Sequence, residues 1–151
     1  MNTQIFDPVE VDYEYFLDHL DEQDLFYEKS RALPTTIKAC LFGTSLPSKV
    51  QSLADRFGFT EKQSALLSRL IRKVFVAEVF IGDLIRELKD QLDLPQSKAQ
   101  ELADALTTEL FAPAIDDLKQ LHAQTFAKSQ SPQPQSQGNV LNLKSTSQST
   151  N

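Results

Sequence analysis

The chain has 151 residues, 40% of them apolar, with four glycines, no tryptophan and a formal net charge of −6. That length fits one domain with flexible ends, and scarce glycine beside plentiful Leu, Ala, Gln, Lys and Asp argues for helices rather than many short strands. A single cysteine, Cys40, excludes an intrachain disulfide and a cysteine-based zinc cluster.

No apolar run approaches membrane-spanning length, so no membrane insertion is expected. The acidic N-terminus lacks the basic lead of a signal peptide, which makes the cytoplasm the expected compartment. The charge is unevenly placed. Residues 1–28 hold nine acids and no Lys or Arg, while the remainder holds twelve acids against fifteen bases. An acidic arm on a weakly basic body implies either docking within the chain or capture of a basic partner.

Residues 1–10 read as an extended lead-in, because Pro8 discourages helix. From Asp12, the residues Tyr13, Phe16, Leu17 and Leu20 fall on one helical stripe with acids opposite. This spacing predicts a helix laying its aromatic side over the body, its acids facing water or Arg69, Arg72 and Lys73. Pro34 then opens a short helix at its first position, presenting Ile37, Cys40 and Leu41, and Gly43 stops it. Cys40 reads as a small buried helix residue rather than a reactive thiol.

From about Val50 to Leu110 the apolar pattern repeats with an offset of 35 residues. Val50 falls on Ile85, Leu53 on Leu88, Leu67 on Leu102, Ile71 on Leu106 and Phe75 on Leu110. Such a period marks a helical hairpin that stacks on its copy to bury its apolar face. In the first copy Ser45 is placed as N-cap with Pro47 behind it, and Val50, Leu53, Ala54 and Phe57 form the buried stripe. Gly58 supplies a left-handed end. Thr60 and Gln63 have capping-box spacing. The helix that follows is lined by Leu66, Leu67, Leu70, Ile71, Val74 and Phe75. The stretch Phe75 to Ile81 is apolar nearly all round and is predicted to lie deep in the core.

Gly82 and Asp83 read as a break and a new cap. The second copy runs through Leu84, Ile85, Leu88 and Leu92, turns at Asp93-Leu94-Pro95, and restarts as a long helix lined by Leu102, Ala103, Leu106 and Leu110. Pro95 is placed at its first position. Pro113 predicts a kink near Phe111, with helix resuming through Ile115, Leu118, Leu121 and Phe126.

The expected organisation is all-α: an acidic arm and helix over 1–30 and a helical domain over 31–128, with repeats at about 47–81 and 82–115. Two stacked hairpins form the centre of a bundle of five to seven helices. Residues 129–151 are rich in Ser, Gln, Pro, Asn and Thr and are predicted to be disordered. Within that tail Val140, Leu141 and Leu143 form an apolar island suited to adding onto a protein partner.

The segment Leu53-Ala54-x-x-Phe57-Gly58-Phe59 ahead of Thr60 has helix-turn-helix character, with a small residue and a glycine where two helices cross. On that reading Lys62, Arg69, Arg72 and Lys73 would contact phosphates. Ser64 departs from the pattern at an interior apolar position, and an acidic chain supplies few cations for nucleic acid. No catalytic constellation is present: His19 and His122 are far apart in sequence, and there is no Gly-rich phosphate loop or nucleophile elbow. The spacing of His and carboxylates is not that of a metal site. No enzyme activity, cofactor or metal is expected.

The block from Leu33-Pro34 to about His122 resembles uncharacterised all-helical proteins abundant in reduced-genome, uncultured bacteria. The shared features are the opening Leu33, Pro34, Ile37, Leu41 and Phe42, the Leu-Ala-x-x-Phe-Gly-Phe turn, the Asp93-Leu94-Pro95 turn and the closing Leu110, Phe111 and Pro113. That resemblance implies a helical adaptor and brings no active-site residues. The expectation is a non-enzymatic protein–protein interaction module, with a nucleic-acid-binding regulator as the alternative.

Overall fold

The computed structural model describes residues 3–130, and every described element is helical. A 3-10 turn at Thr3–Phe6 precedes a one-turn helix α1 (Tyr13–Leu17) and α2 (Leu20–Arg31). Then come α3 (Thr35–Leu41), α4 (Leu46–Phe57), α5 (Glu61–Phe75), α6 (Leu84–Leu92), α7 (Gln96–Leu106) and α8 (Ile115–Gln130). Residues 3–119 belong to one compact unit; the last turns of α8, from Gln120, belong to a second. In that second unit His122 meets Phe126 edge-on, with ring centroids 5.4 Å apart.

The helix punctuation follows the chain's local chemistry. The Thr60 hydroxyl accepts the Gln63 amide at 3.1 Å while the Gln63 side chain accepts the Thr60 amide at 3.0 Å, a complete capping box. Gly58 ends α4 in the left-handed region at φ +67°, and the Phe59 amide returns to the Ala54 carbonyl. Asp93 ends α6 the same way at φ +55°, with the Leu94 amide on the Lys89 carbonyl. Gly58 and Asp93 are 35 positions apart, as are the starts of α5 and α7 at Glu61 and Gln96. These two turns keep the spacing of the apolar pattern, but the starts of α4 and α6 (Leu46, Leu84) and the ends of α5 and α7 (Phe75, Leu106) do not. Gly43 stands where an added Cβ would lie 2.5 Å from the Ala39 carbonyl oxygen, so the turn after α3 admits no side chain.

Helix α5 is the centre of the core. Leu67, Leu70, Ile71, Val74 and Phe75 are buried along it. Ile37 and Leu41 of α3, Leu53 of α4, Leu88 of α6 and Leu102 of α7 are buried as well. Phe75 meets Phe111 edge-to-face at 5.0 Å, both fully buried. Pro113 acts as predicted: the helical run widens to a π turn at Thr107–Phe111 and tightens to a 3-10 turn at Ala112–Ala114 before α8 begins. No helix among the described residues is long and apolar enough to cross a membrane.

Four expectations are corrected. The lead-in is not extended, since Thr3–Phe6 coils into a 3-10 turn that packs on α4 and α5 and buries Phe6. The stripe on the first helix does not bury as a unit. Only Phe16 goes inside, because the helix breaks at Asp18–His19 and leaves Tyr13, Leu17 and Leu20 exposed. Phe75 and Val76 are buried as expected, but residues 77–81 do not continue α5 into the core. Ala77 turns left-handed at φ +61° and the Glu78 amide returns to the Lys73 carbonyl at 2.7 Å, which ends the helix and sends Glu78 to solvent. Pro34 and Pro95 sit one residue earlier than predicted, as the N-cap residues of α3 and α7.

Candidate interaction site

The acidic arm is held to the body by one buried cluster. The Asp12 carboxylate lies just before α1 and receives two guanidinium groups from α5. Arg69 donates from Nε to both carboxylate oxygens at 2.9 Å and from Nη2 to Oδ1 at 2.7 Å. Arg72 closes the other side, with Nη2 2.8 Å from Oδ2 and Nη1 3.5 Å from the Pro8 carbonyl. Burial pushes the Asp12 carboxyl up, but the hydrogen bonds from Arg69 and the charge of Arg72 outweigh it and hold the group below its ordinary value.

Arg72 is itself buried, and two aromatic rings cover it. Its guanidinium carbon is 5.4 Å from the Phe16 centroid and 5.7 Å from that of Phe26, and those rings stack on each other at 5.9 Å. A buried cation needs such company, because its desolvation is offset by carboxylate, carbonyl and ring faces together. Two further ties complete the docking. Ser68 Oγ donates to the Ile5 carbonyl, and Lys29 of α2 reaches Glu78 at 3.1 Å. The cluster floors a cleft of about 520 Å³ whose walls include Tyr15, Glu22, Lys73 and Glu78. Tyr15 donates its hydroxyl to Glu22 at 2.7 Å and stacks on His19 at 4.0 Å.

Facing inward, then, the arm is neutralised; facing outward, it is not. Of the seven exposed large apolar side chains in the described residues, six lie on α1 and α2: Tyr13, Leu17, Leu20, Leu25, Tyr27 and Tyr15, the last of which walls the inner cleft. Leu17, Leu20 and Leu25 each leave more than half their surface in water, at 51%, 58% and 57%. Carboxylates of Glu14, Asp18, Asp21, Asp24 and Glu28 stand among them.

Three of the four cations read as phosphate contacts come together. Arg69 and Arg72 are engaged by Asp12, and Lys73 lines the same cleft with no carboxylate in salt-bridge range among the described residues. Lys62 stands apart on the first turn of α5, exposed. Ser64, the departure from helix-turn-helix pattern, is buried and donates to the Thr60 carbonyl one turn back at 2.9 Å. Val140, Leu141 and Leu143 lie outside the described residues. Cys40 is half-buried rather than buried; burial pushes its thiol up, against the pull of Lys49. No group of three or more His, Cys, Asp or Glu among the described residues is placed to hold a metal ion.

Sequence reasoning paired the arm's acids with Arg69 and Arg72 in general terms but missed Asp12 as the single partner and Ser68 as a second anchor. The available signal was the pair of guanidiniums three residues apart on α5, next to serines at positions an apolar stripe would occupy. No family model, curated protein or solved structure matches the chain.

Proposed function

We propose that the protein is a non-enzymatic interaction module that binds a protein partner through the outer face of α1 and α2. One observation carries this reading: nearly all the exposed large apolar surface is gathered on the arm, whose inner side is already clamped to the body. Exposed apolar groups gathered in one region mark contact surfaces, whereas singly scattered ones need no explanation. The tail residues Val140, Leu141 and Leu143 supply a second contact in this proposal, and the cytoplasm is its setting.

In-cell crosslinking mass spectrometry of the full chain tests it, alongside the triple variant Leu17→Ser/Leu20→Ser/Leu25→Ser and a 1–128 truncation. The expected outcome is a reproducible neighbour whose crosslinks to α1 and α2 fall by about tenfold in the triple variant, with an unchanged melting temperature. Only background crosslinks with the full chain would overturn it. A truncation that loses nothing would remove the tail contact alone.

Nucleic-acid binding through Lys62, Arg69, Arg72 and Lys73 draws less support. Both guanidiniums of that set are already matched to Asp12, and α5 is buried along most of its length. A salt titration decides it, since phosphate contacts make affinity fall steeply with added salt.

A further inference from the structure

We propose that the outer face of α1 and α2 receives a basic amphipathic helix of a partner protein. This rests on the interaction reading above and names the partner's chemistry. At the corner between the two helices, Leu17, Asp18, His19, Leu20, Asp21 and Glu22 line an open cleft of about 570 Å³. Two leucines with half their surface in water therefore stand among three carboxylates. Leu20 and Tyr27 are seven residues apart on α2, two turns along one side of the helix. Gln23 and Asp24 stand between them on that side, so the exposed apolar groups are Leu17 and Leu20 at the corner and Tyr27 two turns on.

The charge around these groups is unspent. Of the nine acids in residues 1–28, Asp12 is taken by Arg69 and Arg72, Glu22 accepts from Tyr15, and Asp7 accepts the Val9 amide at 2.9 Å. The carboxylates of Glu10, Glu14, Asp18, Asp21, Asp24 and Glu28 make no salt bridge and accept no hydrogen bond among the described residues. Apolar groups two turns apart, set among carboxylates, are complementary to a helix with apolar residues at i, i+3, i+4 and i+7 and Lys or Arg on its flanks.

Other occupants fit the same face poorly. A second copy would bring the same carboxylates against these. Residues 129–151 carry one cation, Lys144, too little to match six acids. Anionic lipid and nucleic acid are repelled.

The test uses the full chain labelled with ¹⁵N and three synthetic peptides of about 18 residues, long enough for five helical turns. The first has Leu at the helical spacing and Lys elsewhere; the second is its scramble; the third replaces each Lys with Glu. The first peptide should bind and shift the amide resonances of residues 14–28, with the scramble weaker by about tenfold and the acidic peptide silent. Leu17→Ser/Leu20→Ser and Asp18→Asn/Asp21→Asn should each weaken binding by about tenfold while leaving the melting temperature unchanged.

Equal binding by the scramble would reduce the effect to charge alone and overturn the proposal. So would shifts lying elsewhere, or affinities indifferent to both variants. Peptides that fail to bind while in-cell crosslinks through α1 and α2 persist would overturn the partner class and spare the interaction reading. Loss of those crosslinks would overturn the reading itself.

Discussion

Helices α5 and α7 follow left-handed turns 35 residues apart, and comparing their matched positions separates what packing requires from what docking requires. Ser64 and Ser68 of α5 correspond to Ala99 and Ala103 of α7, and all four are buried. Arg69 and Arg72 correspond to Asp104, which is exposed, and Thr107, whose hydroxyl donates to the Ala103 carbonyl within its own helix. Close helix packing asks only for a small residue, and alanine satisfies it in α7. Ser68, Arg69 and Arg72 are polar in α5 because a second layer, residues 5–16, lies on that helix and brings a carbonyl and a carboxylate to be satisfied, whereas Ser64 bonds only within α5. The difference is therefore a signature of docking.

The largest effect should come from removing the carboxylate at the centre of that docking. Asp12→Ala leaves the buried Arg72 without its ion partner and should cost about 3 kcal/mol, lowering the melting temperature by roughly 10 °C. Asp104→Ala, on the exposed side of α7, should stay within about 0.5 kcal/mol. Equal costs at the two sites would break the comparison.

The pH dependence sharpens it further. The folded-state pKa of Asp12 lies below the ordinary 3.8, so its contribution is complete above that value. It is lost as pH falls through 3.8 and on through the lowered value. Urea unfolding between pH 6 and 3 should show the wild type losing more stability on acidification than Asp12→Asn, which starts lower and has no such proton to bind.

What could be read from sequence was whatever the chain writes locally. The capping box at Thr60 and Gln63, the turn at Gly58 and the break around Pro113 each depend on residues a few positions apart, and each was legible. The fate of the arm was not. Tyr13, Phe16, Leu17 and Leu20 have helical spacing, but whether they bury depends on a surface 57 positions away, where Arg69 draws in Asp12. Asp12 stands at the start of α1, Phe16 is the only one of those four side chains that reaches the guanidinium of Arg72, and the helix breaks two residues later. The end of α5 was missed for a related reason. Residues 75–81 look like continuing helix by hydropathy, yet a left-handed alanine, which no propensity favours, ends it.

Those left-handed positions give the next contrast. Gly58 and Asp93 hold matching backbone, one with the residue that tolerates it and one without. Gly58→Ala should cost about 1.5 kcal/mol, whereas Asp93→Gly should gain about 0.5 kcal/mol, and Ala77→Gly about 1 kcal/mol. Thermal melts of the three variants check the signs. A destabilised Ala77→Gly would mean that the methyl group packs into something worth more than the strain.

The smallest expected difference is the most discriminating, because it lies between two serines one turn apart on the same helix. Ser64 Oγ donates only within α5, to the Thr60 carbonyl, which the Ser64 amide also reaches at 2.9 Å. Replacing it by alanine, the residue at Ala99, should change stability by no more than a few tenths of a kcal/mol. Ser68 donates across to the Ile5 carbonyl. Ser68→Ala strips that carbonyl of its donor and should cost about 1 kcal/mol. Hydrogen exchange adds a readout that packing alone would not move: Ser68→Ala should raise exchange in residues 5–16 while leaving α6 and α7 untouched. Equal losses for the two serines would mean that α5 needs its hydroxyls for itself, and that the arm is held by Asp12 and the aromatic pair alone.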